Sequence, residues 1–204
     1  MSKLFIMSAV AALSVAFAQQ AAAQAVTADP AAVRSGAYKV EAYHTQVGFT
    51  LSHLGISPFS GVFHDVAGTL VLNAADPAGS RLNITVPVAS VLTTVAPLDD
   101  MLKGKDWFDA AAFPTATFAS TQVRRTGPST AVIEGNLTLH GVTKPVQLEA
   151  QLVGSGLNIL DNAYSVGFTA KGVIKRSDFG IKTYLPAVGD DVELTITSAF
   201  EAQP

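Results

Sequence analysis

The chain has 204 residues, no cysteine, and 13 Lys+Arg against 16 Asp+Glu, for a formal charge of -3. Without cysteine the fold must be held by its own core, and thiol catalysis and zinc-thiolate sites are excluded. Mild acidity, with the paired basic residues confined to Arg124-Arg125 and Lys175-Arg176 and no aromatic platform between them, argues against a nucleic-acid partner.

The chain opens as a processing segment. Lys3 supplies a short positive start, residues 4–17 form an apolar run, and Ala21-Ala22-Ala23 or Ala23-Gln24-Ala25 offers a small-residue cleavage site. Residues 1–23 are therefore expected to be a cleavable signal peptide, cut after 23 or 25. The run is shorter than the ~20 residues of a spanning helix and ends in Gln19-Gln20. No later stretch is long and apolar enough to span a bilayer. Losing Lys3 leaves 12 bases against 16 acids, a charge of -4. The remaining chain, about 180 residues, fits one domain. Residues 26–36 read as a flexible Ala-rich lead and 37–203 as the domain.

From Tyr38 onward, period-two alternation dominates. A short strand is expected at Tyr38, then strands marked by Val47/Phe49/Leu51/His53, residues 61–72, and Leu82/Ile84/Val86/Val88. The rhythm breaks at Pro97-Leu98-Asp99-Asp100-Met101-Leu102-Lys103-Gly104. There Leu98, Met101 and Leu102 fall at i, i+3 and i+4, acids sit near the start, a base near the end, and glycine stops the turn, which predicts a short helix. Strand 115–125 follows. Residues 134–150 then read as a hairpin: Ile133, Leu137 and Leu139 share one parity, Gly141 lies in the turn, and Pro145 opens a return strand carrying Val146, Leu148, Ala150 and Leu152 on one face. Val166/Phe168/Ala170/Gly172/Ile174 and Val192/Leu194/Ile196 complete the set.

About eight antiparallel strands, each apolar on one side, define an all-β domain with one short helix. Alternation leaves open a two-sheet sandwich and a closed barrel. Parity places Phe49, Leu51, Phe118, Val166, Phe168 and Ile196 on the inward face. His53 shares the parity of Phe49 and Leu51, so it is either a ligand-headgroup contact or a core histidine satisfied by a carbonyl, a side chain or water. Trp107 and Phe108 either pin the helix to the strands or line the entrance of an apolar cavity. Arg176, two residues from Asp178, is either a basic group at a cavity mouth or half of a loop salt bridge, with Phe179 and Ile181 as packing or wall residues. His44 is assigned to a bend and His140 to local bonding at the hairpin turn. No metal site is expected, because the histidines lie on separate segments without HxH or HExxH spacing. GxSxG is likewise missing.

Several motifs in order carry a resemblance. Tyr38 with His44-Thr45, Phe49 and His53, Gly61-Val62-Phe63 with Gly68, Lys105-Asp106-Trp107-Phe108-Asp109, and Phe113-Pro114 with Phe118 come first; Gly135-Asn136-Leu137-Thr138-Leu139-His140-Gly141-Val142-Thr143-Lys144 and Arg176-Ser177-Asp178-Phe179-Gly180-Ile181 follow. Together they resemble the YceI-like family of periplasmic, lipocalin-like proteins. Glu41, Thr45 and Pro97-Leu98 depart from the residues common there. The resemblance implies a single eight-stranded lipocalin-like barrel with a helix over one side. It also implies periplasmic residence and non-covalent binding of a polyisoprenoid or isoprenoid quinone in the lumen, with no cofactor, no catalysis, transient membrane contact and dimerisation as options. Two rivals stand beside it: a lipid-acting enzyme with a histidine base, and a ligand-free structural or stress protein with a filled barrel.

Overall fold

The structure, a computed structural model, describes residues 26–204; the expected leader lies outside the described residues. Nine strand segments run β1 Gly36–His53, β2 Ser57–Phe63, β3 Ala67–Leu72, β4 Arg81–Pro87, β5 Thr115–Arg125, β6 Thr130–Leu139, β7 Val142–Leu157, β8 Tyr164–Lys175 and β9 Asp191–Ala202. One helix, α1 Ala96–Lys103, lies between β4 and β5. All neighbours are antiparallel in the order β2-β1-β3-β4-β5-β6-β7-β8-β9, and β9 returns to pair with β1. Closure satisfies the outer strands' backbone groups, which an open sandwich would leave at an edge.

Nine segments make eight staves. β3 pairs with the first residues of β1 (Gly36↔Leu72) and β2 with its last (His53↔Ser57), so β2 and β3 lie end to end beside one partner. They are interrupted at residues 64–66, where Asp65 takes φ 56° and Val66 is buried. The strands expected at Tyr38 and at Val47–His53 are likewise one strand, β1. Its polar middle survives as a bulge: the β1–β9 register slips between Glu41 and Gln46. The Glu41 carboxylate holds the bulge by accepting the N–H groups of Tyr43 (3.0 Å) and His44 (2.9 Å) and bonding His44 Nδ1 at 2.6 Å. The bend assigned to His44 is this one.

The hairpin is as read, with Leu139↔Val142 closing β6 and β7. His140 and Gly141 both take positive φ in its turn. Gly135 serves close packing instead. A Cβ there would overlap the Phe118 ring and stand 2.7 Å from the Ala119 carbonyl, so the bare backbone lets Phe118 lie across β6. In α1, Leu102 is buried and Leu98 partly so, but Met101 is exposed. The buried Asp99 faces back to accept the Thr93 N–H (2.7 Å) and hydroxyl (2.6 Å).

Residues 26–35, read from sequence as a flexible lead, lie along β7 and β8. Thr27 and Ser155 exchange two backbone hydrogen bonds of 2.9 and 2.8 Å. Two tyrosines bind the same stretch: Tyr38 donates to the Arg34 carbonyl (2.6 Å) and Tyr164 to the Ala32 carbonyl (3.1 Å). Burial raises the Tyr38 pKa, helped by Tyr164 and opposed by Arg34.

The interior divides into two clusters. One gathers Tyr38, Val40, Val66, Leu70, Leu152, Tyr164, Val166 and Phe200. The other gathers Phe49, Val91, Leu102 and Val192, with Leu51, Phe63, Leu98, Trp107 and Phe108 packed against it beneath α1.

Candidate functional site

Between these clusters the barrel is hollow. A cavity of about 250 Å³ is walled by inward residues of β3 to β9, among them Leu70, Ile84, Phe118, Leu148, Phe168 and Ile196, with Thr45 and Val47 from β1. Its wall is almost wholly aliphatic and aromatic, a surface that water solvates poorly.

Strand polarity identifies the two ends. The β3–β4, β5–β6 and β7–β8 turns lie at one end with the lead. The β1–β2 and β6–β7 turns, α1 and the β8–β9 connection lie at the other. The cavity lining continues to Pro30 and Val33 of the lead, Ala74, Pro77 and Arg81 of the β3–β4 turn, and Arg125, Pro128 and Thr130 of the β5–β6 turn. Arg81 and Arg125 are exposed, so the lumen reaches solvent here. Both arginines grip one turn: Arg81 donates to the Ala78 (3.0 Å) and Ser80 (2.7 Å) carbonyls, and Arg125 to the Ala74 carbonyl (2.9 Å). The other end is plugged. Phe49, Phe63 and Phe108 form a run of rings with centroid spacings of 5.5 and 5.3 Å, seated against the helix-side cluster.

The expected site residues therefore separate. Phe118, Phe168 and Ile196 line the lumen, and Val166, inward as expected, is packed into the lead-side cluster beside it. Phe49, Leu51, Trp107 and Phe108 pack in the plug with Leu98 and Leu102 of α1 and are absent from the lumen lining. His53 is a correction. Its parity is that of Phe49, but β1 outruns the barrel at its end, so the residue is exposed in the overhanging hairpin, bridged by backbone to Val188.

Arg176 is a second correction, to both readings. It sits at the plugged end, 4 % exposed, and meets neither the mouth nor Asp178. Its guanidinium donates to the carbonyls of Gly189 (2.8 Å), Ile181 (3.1 Å) and Val188 (2.8 Å) and lies 5.5 Å from the Trp107 ring centroid. Burial lowers its pKa, with Asp190 opposing. The fork thus ties the β8–β9 connection into one body. Asp190 completes the tie by accepting the Ser177 N–H (2.9 Å) and hydroxyl (2.8 Å). Burial pushes the Asp190 carboxyl up, but these two bonds and the nearby Lys175 and Arg176 hold it below the ordinary carboxylate value. Phe179 is buried, and its carbonyl is bonded by His140 Nδ1 at 3.1 Å while the imidazole packs on Phe113. His140 thus bonds across to the β8–β9 connection, a reach the sequence did not signal.

A notch interrupts the wall near the plugged end. β7 and β8 pair only from Glu149↔Lys171 toward the mouth, and below that the strands part around a groove of about 730 Å³. Lys144, Lys171, Asp178 and Glu193 edge it, and Val146 and Leu194 are shared with the lumen. Among the described residues no group of three or more His, Cys, Asp or Glu is placed to hold a metal ion.

A closed antiparallel barrel with a helix plug and an apolar lumen is the architecture of a lipocalin-like protein. The YceI-like domain family matches residues 38–200, nearly the whole described chain, and the chain belongs to that family. It is 42 % identical over 162 residues to a UPF0312 protein of Yersinia pestis, covering 78 % of this chain and 83 % of that protein. It is 41 % identical over 165 residues to Protein YceI of Escherichia coli, covering 78 % and 84 %. Among solved structures, Burkholderia cenocepacia BcnA superposes with a TM-score of 0.71 at 25 % identity, over 78 % of this chain and 98 % of that one. A polyisoprenoid binding domain from Saccharophagus degradans shares the fold with a TM-score of 0.62 at 16 % identity, over 83 % and 100 %.

Proposed function

We propose that the protein is a periplasmic carrier that holds the apolar chain of a polyisoprenoid, or of an isoprenoid quinone, non-covalently in its lumen. The observation that carries this reading is the apolar cavity of about 250 Å³, plugged at the α1 end and reaching solvent between the lead and two turns. A branched hydrocarbon chain fits such a site because it asks for dryness and length, and each buried CH₂ contributes about 0.8 kcal/mol. The cavity lies just under the ~300–1,000 Å³ of typical small-molecule pockets, so it suits a chain lying along the barrel axis with its head outside. Ser80, Arg81, Arg125, Ser129 and Thr130 supply the polar rim, and they take over the headgroup role that His53 is too remote to play. Membership of the YceI-like family supports the reading, as does the shared fold with a domain described as polyisoprenoid binding. Function is sequestration and transfer; no reaction is assigned.

A series of prenols of increasing length tests it. Affinity relative to water should rise steeply with each five-carbon unit, then level off once the lumen is filled. Ala170 lines the lumen, and Ala170→Phe should abolish uptake by placing a ring where the chain would lie. Uptake that ignores both chain length and Ala170→Phe would overturn the proposal.

A further inference from the structure

The β7–β8 hairpin outruns β6, its neighbour on one side. β6 and β7 end their pairing at Thr130↔Gln151, yet β7 continues to Leu157, six residues further. On its other side β8 stays paired with β9 as far as Ser165↔Glu201, so the tip at residues 158–163 is what stands beyond both neighbours. The hairpin stands at the rim of the lumen mouth, with the lead laid along it through the Thr27–Ser155 bridge.

Its tip inverts the usual polarity of a turn. Asn158 Oδ1 accepts the Leu160 N–H (3.0 Å), Asp161 Oδ1 accepts the Ala163 N–H (2.8 Å), and Asn158 Nδ2 donates to Asp161 Oδ2 (2.9 Å). The polar side chains are thus spent on the turn itself. What the tip presents to solvent is Ile159, 88 % exposed, and Leu160, 86 % exposed, with Val153 and Val26 exposed further down the arm. Ile159 and Leu160 on this self-braced turn have no role in the core.

Charge differs between the ends. The mouth end carries Arg34, Arg81, Arg124, Arg125 and Lys39 against Asp29, Asp76, Asp161 and Glu201, while the α1 end carries Asp99, Asp100, Asp106, Asp109, Asp178, Asp190, Asp191 and Glu193 against Lys103, Lys105, Lys144, Lys175, Lys182 and Arg176, so the mouth end is the more positive of the two. Asp29, Asp76 and Asp161, the aspartates of the mouth end, each accept an N–H within their own turn. Guanidinium groups pair with phosphate in a planar fork, and aliphatic tips partition into the acyl boundary.

We infer that the mouth end docks on an anionic phospholipid bilayer, the Ile159–Leu160 tip inserting among the lipids and the arginines meeting their phosphates, so that the lumen opens onto the membrane surface. Docking there gives the carrier its site of loading, a purpose that rests on the carrier function proposed above. Docking itself needs no cargo, so vesicles free of isoprenoid test it separately.

The experiment is sedimentation of the purified protein with vesicles of phosphatidylethanolamine and phosphatidylglycerol at 3:1, against Ile159→Ser/Leu160→Ser and Arg124→Gln. Both altered sites are solvent-exposed and outside the lumen lining. An aliphatic side chain that leaves the acyl boundary loses one to two decades of partition, so the double variant should bind at least about tenfold more weakly. Arg124→Gln should bind severalfold more weakly, and added salt should weaken the wild type in the same direction. Ile56→Ser, equally exposed at 82 % but at the opposite end, should bind as the wild type does. Undiminished binding of the Ile159→Ser/Leu160→Ser variant would overturn the inference, as would loss of binding on Ile56→Ser. A wild-type dimer that the double variant dissociates would also overturn it, because a second copy would then be what covers the tip.

Discussion

Phe168 and Thr169 are adjacent on β8 and face opposite ways. Phe168 lines the lumen and packs edge-on to Phe200 with centroids 6.2 Å apart; Thr169 is absent from the lumen wall. Replacing either by Asp adds the same charge to the same strand. In Phe168→Asp, an inserted hydrocarbon chain must strip water from a carboxylate that has no partner in an aliphatic cavity. Taking an ion out of water in a protein costs several kcal/mol even after relaxation. If about 3–4 kcal/mol of that falls on the bound state alone, affinity drops by two to three decades, since each decade is about 1.4 kcal/mol. Thr169→Asp leaves the lumen as it is and should change affinity by less than threefold. Displacement of a fluorescent apolar probe by a prenol reads both variants, with circular dichroism confirming that each is folded. Should Phe168→Asp unfold, Ala170→Phe carries the same test without a buried charge. Equal uptake by the two folded Asp variants would refute the assignment of the β8 inner face to the ligand.

Three further outcomes follow from the packing. Gly135→Ala should destabilise the barrel by about 1–3 kcal/mol through overpacking against Phe118, read as a lower thermal midpoint, and Phe118→Leu in the same chain should restore part of it. Arg176→Met removes the donors of three carbonyls, one buried and two part-buried, and should cost about 2–4 kcal/mol by chemical denaturation while leaving prenol stoichiometry unchanged. Asp190 titrates at 3.8 when unperturbed and lower in the fold, so its contribution is present above that value and is lost as pH falls through the folded pKa; Asp190→Asn should flatten the acid limb of the stability profile there.

How far the sequence could be read depended on whether a feature was local. The turn between β6 and β7 and the helix at residues 96–103 rest on short-range pattern, and both came out within a residue or two, although the hairpin's strands, read as 134–150, run from 130 to 157. Inward parity was sound for Phe118, Phe168 and Ile196. It failed for His53 because parity fixes a side of the strand but not whether the strand is still inside the barrel. It could not separate Phe49 from the lumen, because the plug that covers Phe49 comes from the long β4–β5 connection. The position of the mouth was invisible for the same reason: it depends on which end α1 covers. β1 looked like two strands because the bulge braced by Glu41 fills its middle with exposed polar residues, and an Asp or Glu that caps its own backbone is hard to tell from a loop acid. Arg176 carried a real signal, an arginine at a strand end, but its partners are carbonyls contributed by residues 181–189, which no spacing rule announces.

Whether the hollow barrel holds an isoprenoid chain is best decided by native mass spectrometry of the protein purified from the cells that make it, followed by solvent extraction and identification of whatever is released. A carrier should arrive with one long-chain isoprenoid lipid per chain, lost from the Ala170→Phe variant. A protein that flies empty and also refuses added prenols and quinones would refute the carrier function and leave the barrel a ligand-free structural element.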